Sequence, residues 1–203
     1  MTDDDAVLTT ALSYTREASS WHNGTPKDRG AWAESYGRLA KLVKPGDLAL
    51  DLGCGSGEDA PALASMGLRC VGLDISAGLI ELTRRFEPLA GRAVLGDLRT
   101  LPFADASFDA VWADGSVHHV TKQEIRGVAA EVARVLKPGG IFGLSVALGL
   151  HDGYVSAQDG VEGKRWYSYF EPDELRAILR RVDIDVIDAM FGPGFLVLFA
   201  RRR

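Results

Sequence analysis

Short apolar runs alternate with longer stretches of helical period through the middle of the chain, and this alternation predicts most of its elements. Leu48-Ala-Leu-Asp-Leu52 reads as a buried strand and runs into the turn Gly53-Cys-Gly-Ser-Gly57. A helix follows over about residues 58–66, where Pro61 is tolerable because it falls in the first turn. Arg69-Cys-Val-Gly-Leu73 is a second strand, closed by Asp74, and Ser76 caps a helix running to Phe86. Arg92-Ala-Val-Leu95 and Phe108-Asp-Ala-Val-Trp-Ala113 are the third and fourth strands. Thr121 caps a helix in which Ile125, Val128, Ala129, Val132 and Val135 or Leu136 recur at the helical period. Lys137-Pro-Gly-Gly140 stops it before a fifth strand, Ile141-Phe-Gly-Leu-Ser-Val146.

Strands and helices that alternate in this way build a parallel sheet covered on both faces, so the expected fold is α/β, doubly wound and mostly parallel. The end of the chain departs from the rule. After a helix over residues 171–181, two strands, Ile184-Asp-Val-Ile187 and Phe195-Leu-Val-Leu-Phe199, are separated by Gly192-Pro-Gly194. That link is too short for a parallel crossover and predicts an antiparallel pair at one edge. The 203 residues read as one domain: a helical cap over 1–46, an α/β core over 47–146, a polar, aromatic-rich loop over 147–170, and a helix with a β-hairpin over 171–203.

Charge and composition narrow the class. With 23 Lys and Arg against 28 Asp and Glu, the net charge of −5 does not favour a nucleic acid partner. Charged residues interrupt every apolar stretch before the roughly 20 residues a membrane span needs. The acidic start, Met1-Thr-Asp-Asp-Asp5, is unlike a secretory leader, and two cysteines, Cys54 and Cys70, make no disulfide framework. A soluble, cytoplasmic protein, monomer or homodimer, is expected. No His, Asp and Glu set has metal-ligand spacing, so no metal is expected.

In an open parallel sheet a ligand sits beyond the carboxyl ends of the strands where the winding reverses. The turn Gly53, Gly55, Gly57 stands there, but its G-x-G-x-G spacing puts Glu58 where a pyrophosphate fingerprint has its last glycine. Glu58 and Asp59 would repel a diphosphate at the helix start, which disfavours NAD and favours a cationic ligand. Asp74 ends the second strand, where a carboxylate accepts ribose hydroxyls, or alternatively caps the helix after it. Asp97 follows the third strand on the same edge. Asp51 is expected to be buried, with the loop amides as its donors. Three acids at successive strand ends beside a glycine turn point to a nucleoside site.

Leu48-Ala-Leu-Asp-Leu-Gly-Cys-Gly-Ser-Gly57 resembles the glycine motif of the class I (Rossmann-like) S-adenosylmethionine-dependent methyltransferases, in their small, free-standing form. Val71-Gly-Leu-Asp-Ile-Ser76 and Gly96-Asp-Leu98 resemble the acidic and adenine-side motifs that follow. Leu101-Pro-Phe-Ala-Asp-Ala-Ser-Phe-Asp109 and Leu136-Lys-Pro-Gly-Gly140 are similar to two further blocks, so the likeness is strong over residues 45–147. It implies a seven-stranded sheet whose last strand is antiparallel, and S-adenosyl-L-methionine as cofactor. It places the methionine moiety over Asp51, Gly53 and Gly55, the ribose on Asp74, and the adenine against Ile75, Asp97 and Leu98. Glu58 stands where many relatives carry Arg. Cys54 reads as packing in a tight loop, without a basic neighbour to activate it.

The resemblance puts substrate-facing groups after the fourth strand, in Trp112-Ala-Asp-Gly-Ser-Val-His-His119. His119, beside Asp114, is the candidate base or orienting group. In a strand His118 and His119 would point to opposite faces, leaving one of them for the ligand. The expected pocket walls are Tyr14, Trp21, His22 and Trp32 of the cap, and His151, Tyr154, Arg165, Trp166, Tyr167 and Tyr169 of the loop. The same aromatics serve equally as anchors that fasten these segments to the sheet. The cap and loop are small for a polymer substrate, so a small-molecule methyl acceptor is expected. The alternatives are an RNA (tRNA) methyltransferase and a non-catalytic adenosyl-ligand-binding protein.

Overall fold

The protein, seen in a computed structural model, is described over residues 5–25, 30–85, 89–158 and 161–203. Its central sheet has seven strands: β1 (Leu48–Leu52), β2 (Arg69–Asp74), β3 (Ala93–Leu95), β4 (Phe108–Asp114), β5 (Leu136–Ala147), β8 (Ile184–Gly192) and β9 (Phe195–Arg202). They are ordered β3-β2-β1-β4-β5-β9-β8. The pairs among β1 to β5 are parallel, and β9 runs antiparallel to both β5 and β8. Pro193 and Gly194 alone join β8 to β9, which is why the last strand must turn back. The α/β, doubly wound, mostly parallel sheet with an antiparallel last strand is the fold.

Successive residues of each central strand go to opposite faces. On β4, Val111 and Ala113 join one apolar cluster while Ala110 and Trp112 join the other. One face is covered by α6 (Ile125–Val135), through Ile125, Val128 and Val132, and by α7 (Pro172–Arg180), through Leu175 and Leu179. The other holds Leu39 of α3 (Ala33–Leu39), Leu63 of α4 (Ala60–Ser65) and Ile80 of α5 (Ala77–Thr83). Trp112, the largest of these side chains, fits only because β5 carries glycine beside it: a Cβ on Gly143 would lie 2.6 Å from the indole.

Three expectations change. Lys137-Pro-Gly-Gly140 lies inside β5, because the chain leaves α6 directly into extended pairing with Phe108 and bulges before Ala110 meets Ile141. The 147–170 segment is no loop: β6 (Gly153–Gln158) and β7 (Val161–Tyr167) form an antiparallel ribbon. The α6 helix begins four residues after Thr121, whose N–H and hydroxyl both donate to Glu124. Ser76 does cap α5, accepting from the Leu79 N–H, while Phe86 lies outside the described residues.

The helices α1 (Ala6–Arg16) and α2 (Ala18–Gly24) lie across the carboxyl ends of the strands. The ribbon holds α1 in place: Ser13 Oγ donates to the Lys164 carbonyl at 2.7 Å and the Trp166 N–H donates to Thr10 Oγ1 at 2.9 Å. Among the described residues no helix is long and apolar enough to cross a membrane.

Candidate functional site

Chain order reverses between β1 and β4, and a cavity of about 560 Å³ opens beyond the carboxyl ends of the strands there. Its floor is the turn after β1, with Gly53, Cys54 and Gly55 on the wall. Gly53 has φ +78, and a Cβ on it would lie 2.2 Å from Ser116 Cβ, so no other residue fits. Ser116, on the loop after β4, donates to the Leu52 carbonyl at 2.6 Å and ties the two strand ends together. Cys54 is buried, and burial together with Asp51 and Asp74 pushes its thiol well up, so it packs as a neutral group.

Asp74 lines the cavity with both carboxylate oxygens fixed: Oδ2 accepts from the Gly55 N–H at 2.9 Å and Oδ1 from the Ser76 N–H at 2.8 Å. Burial raises its pKa to about 6 although those N–H groups favour the carboxylate. Each oxygen keeps a lone pair for a hydroxyl donor. Ile75, Asp97 and Leu98 line the same wall, whereas Gly57 does not. Asp97 is gripped by Arg99, which donates from Nε at 2.9 Å and from Nη2 at 2.7 Å. Arg99 also donates to Asp5, the N-cap of α1, at 3.0 Å and to Glu124 at 2.7 Å, and these three carboxylates hold its pKa above the ordinary value. Motif reading missed Arg99, although Asp97-Leu-Arg99 spacing was a local sign of it.

The acids around the turn divide into two kinds. Asp59 is buried and accepts from Tyr36 Oη at 2.5 Å and Trp112 Nε1 at 2.8 Å. Glu58 lines the cavity and accepts from the Ser56 N–H and hydroxyl. Asp51 stands behind the lining, with Oδ2 buried and without a partner among the described residues. The loop amides expected for it are engaged elsewhere: those of Gly53 and Cys54 donate to the Leu73 carbonyl and that of Gly55 to Asp74. Burial and the neighbouring Asp59, Glu58 and Asp114 drive the Asp51 pKa well above the usual carboxylate range. This acid-rich surround with a partnerless carboxylate fits a ligand carrying positive charge and opposes a diphosphate.

His118 and His119 lie on a 3-10 turn over Val117–His119, not a strand, so both line the cavity. The carbonyl of Trp166 can only accept, and at 2.6 Å it fixes the proton on His119 Nδ1. Nε2 then accepts from Tyr14 Oη at 3.1 Å, while Tyr14 accepts from Arg165 Nη1 at 3.1 Å. Burial, against the Trp166 carbonyl bond and with Arg165 nearby, lowers the His119 pKa to about 4. Asp114 also lines the cavity and accepts from the Ser145 hydroxyl.

Of the expected aromatic walls, Tyr14, Trp21, Trp32 and Tyr167 do face the cavity. His22 instead bonds Ser56 Oγ at 2.8 Å, and His151 and Tyr154 are exposed. Arg165, Trp166 and Tyr169 are absent from the lining: Arg165 is fully buried against the rings of Tyr14 and Tyr167, and Trp166 Nε1 donates to Ser168. Phe195, at the start of β9, lines the cavity with no signal in the sequence around it. No group of three or more metal-ligating side chains occurs among the described residues.

A glycine turn on β1, a carboxylate closing β2 and a cavity at the switch point define a nucleoside-binding α/β protein. Residues 50–144 match the family described as "Methyltransferase domain". A malonyl-[acyl-carrier protein] O-methyltransferase of Yersinia pestis is 30% identical over 197 residues, covering 95% of this chain and 71% of that one. An uncharacterized methyltransferase of Synechocystis sp. is 38% identical over 102 residues, 50% of this chain and 48% of its own. This chain thus belongs to the class I S-adenosylmethionine-dependent methyltransferase family. It spans half or less of the length of several curated relatives it matches. In fold it superimposes with TM-score 0.75 and 24% identity on a Burkholderia thailandensis 1,6-didemethyltoxoflavin-N1-methyltransferase, covering 100% of this chain and 92% of the other.

Proposed function

We propose that this protein transfers a methyl group from S-adenosylmethionine to a small-molecule acceptor. When bound, the cofactor supplies a methyl group already activated on a sulfonium, open to in-line displacement. The residues present fit it. Asp74 offers its free lone pairs to the ribose hydroxyls, Ile75 and Leu98 offer apolar faces to the adenine, and Asp97, held by Arg99, offers an acceptor to the adenine amino group. Gly53 and Gly55 let the methionine part approach the backbone, and the acids around Asp51 complement its positive charge. The protein's own contribution is alignment and dryness, and good alignment is worth roughly 7–11 kcal/mol of barrier. The lid of α1, α2 and the β6-β7 ribbon serves that end by walling the cavity with Tyr14, Trp21 and Tyr167. The small-molecule reading is supported by the cavity being walled by cap and ribbon.

The observation that carries this reading is Asp74, held by two backbone N–H groups on the wall of the cavity. Calorimetry with S-adenosylmethionine and with NAD tests it. The sulfonium compound is expected to bind and the dinucleotide to give no heat. Asp74→Ala is expected to weaken cofactor affinity at least tenfold, equal to about 1.4 kcal/mol or more. Tight NAD binding, or unchanged affinity in the variant, overturns it.

A further inference from the structure

We propose that the methyl acceptor is an uncharged, flat ring compound that stacks in the aromatic end of the cavity and hydrogen-bonds the His118 imidazole. This rests on the methyl-transfer reading and adds the chemistry of the acceptor.

The cavity has two unlike ends. Glu58, Asp74 and Asp97 line the end at the glycine turn and the tips of β2 and β3. At the other, His118 stacks on Tyr167 with centroids 4.8 Å apart and an interplanar angle of 19°. His119 stands edge-on to both, 4.5 Å from His118 and 4.8 Å from Tyr167, and Tyr14 meets His119 edge-on at 5.5 Å. Faces and edges set at these angles favour another ring over an aliphatic chain. Among the described residues no Lys or Arg lines the cavity, so a carboxylate or phosphate acceptor would lose its water and meet acids instead of a cation.

Two ring nitrogens of the cavity wall are buried without a partner among the described residues, Trp21 Nε1 and His118 Nδ1, and the first lies beside Gly55 at the glycine-turn end. Around His119 little hydrogen-bonding capacity is spare. His119 has both nitrogens engaged, by Trp166 and Tyr14, and the Tyr14 hydroxyl both donates to His119 and accepts from Arg165. His118 differs. Its Nδ1 is buried without a partner among the described residues, and no described hydrogen bond reaches its Nε2. The side chain is 9% exposed, and the cavity is the space it borders. A buried imidazole left unmatched is costly, and a ring hydroxyl, ring N–H or ring carbonyl matches it. Stacking selects a flat acceptor, the absence of lining cations rejects an anion, the Arg165 guanidinium packed on the Tyr14 and Tyr167 rings disfavours a cation at this end, and His118 reads the polar edge.

The test uses the full chain saturated with S-adenosylhomocysteine and a matched set of probes: 2-naphthol and 4-quinolone as neutral rings, 2-naphthoate as anion and 2-naphthylmethylammonium as cation. Binding is read by quenching of Trp21 and Trp32 fluorescence and by the nitrogen-15 shift of the His118 imidazole. Both neutral rings are expected to bind at least tenfold more tightly than either ion and to move the His118 signal. His118→Phe keeps a ring for stacking and is expected to weaken the neutral probes about tenfold while leaving S-adenosylhomocysteine affinity unchanged. His118→Gln, which keeps a hydrogen-bonding group, is expected to lose less. Equal or tighter binding of either ion, failure of the neutral rings to bind, or unaltered affinity in His118→Phe overturns the proposal. Failure of the unaltered chain to bind S-adenosylhomocysteine is a separate result, and it sinks the methyl-transfer reading instead.

Discussion

His119 shows how much of a residue's role is set by its partners. As a histidine after the fourth strand it is a candidate base, but the structure uses both of its nitrogens to join the ribbon, through Trp166, to the cap, through Tyr14. That arrangement supports an orienting role. It also has a pH signature. The His119 pKa is near 4 in the folded chain and near 6.5 unfolded, so between those values the unfolded chain binds the extra proton. The stability that follows is present above pH 6.5 and is lost as pH falls toward 4. Asp74, raised to about 6, acts in the opposite sense and masks part of this in the native protein. The comparison with His119→Phe isolates it: in urea denaturation the native chain's advantage over the variant is expected to grow from pH 4 to 6.5. A pH-independent difference would exclude the buried neutral state. The Asp74, Gly53 and Asp97 positions were legible from a few neighbouring residues, whereas the partners of His119 lie 105 and 47 residues away in sequence.

Elements with a strong period were legible and the ribbon was not. In α6 every buried position is one that the apolar spacing marks, save Ala133. In β7 the fully buried residue is Arg165, sealed between Tyr14 and Tyr167, so the rule that apolar residues mark the inner face reads the strand backwards. The bulged start of β5 was hidden for a related reason: Gly139 takes φ +80 within an extended run, so a sequence that signals a turn pairs as a strand. Packing between β4 and β5 supplies a check at this scale. Gly143→Ala places a methyl against the Trp112 indole and is expected to destabilise the chain by about 1–3 kcal/mol in chemical denaturation, with no direct effect on the cavity. A loss within experimental error would mean that the two strands yield more easily than their burial implies.

At the scale of the molecule, Arg99 is the joint between cap and core. It holds Asp97 after β3, Asp5 at the head of α1 and Glu124 before α6, with its side chain 23% exposed. Arg99→Met is expected to cost about 1–2 kcal/mol, less at high salt, to speed hydrogen exchange in residues 6–16, and to weaken cofactor binding through Asp97. Unchanged exchange in α1 would mean that the ribbon alone secures the cap. The sequence by itself determined the α/β winding, the reversed last strand and the row of acids at successive strand ends, because each follows from periods and turns within a few residues. Tertiary structure decided which rings face the cavity, which histidine is already bonded and which is still open, and that Asp51 Oδ2 has no partner among the described residues. Those outcomes depend on contacts between residues 5–25, the ribbon and the tips of β1, β2 and β4, segments whose meeting no local pattern records.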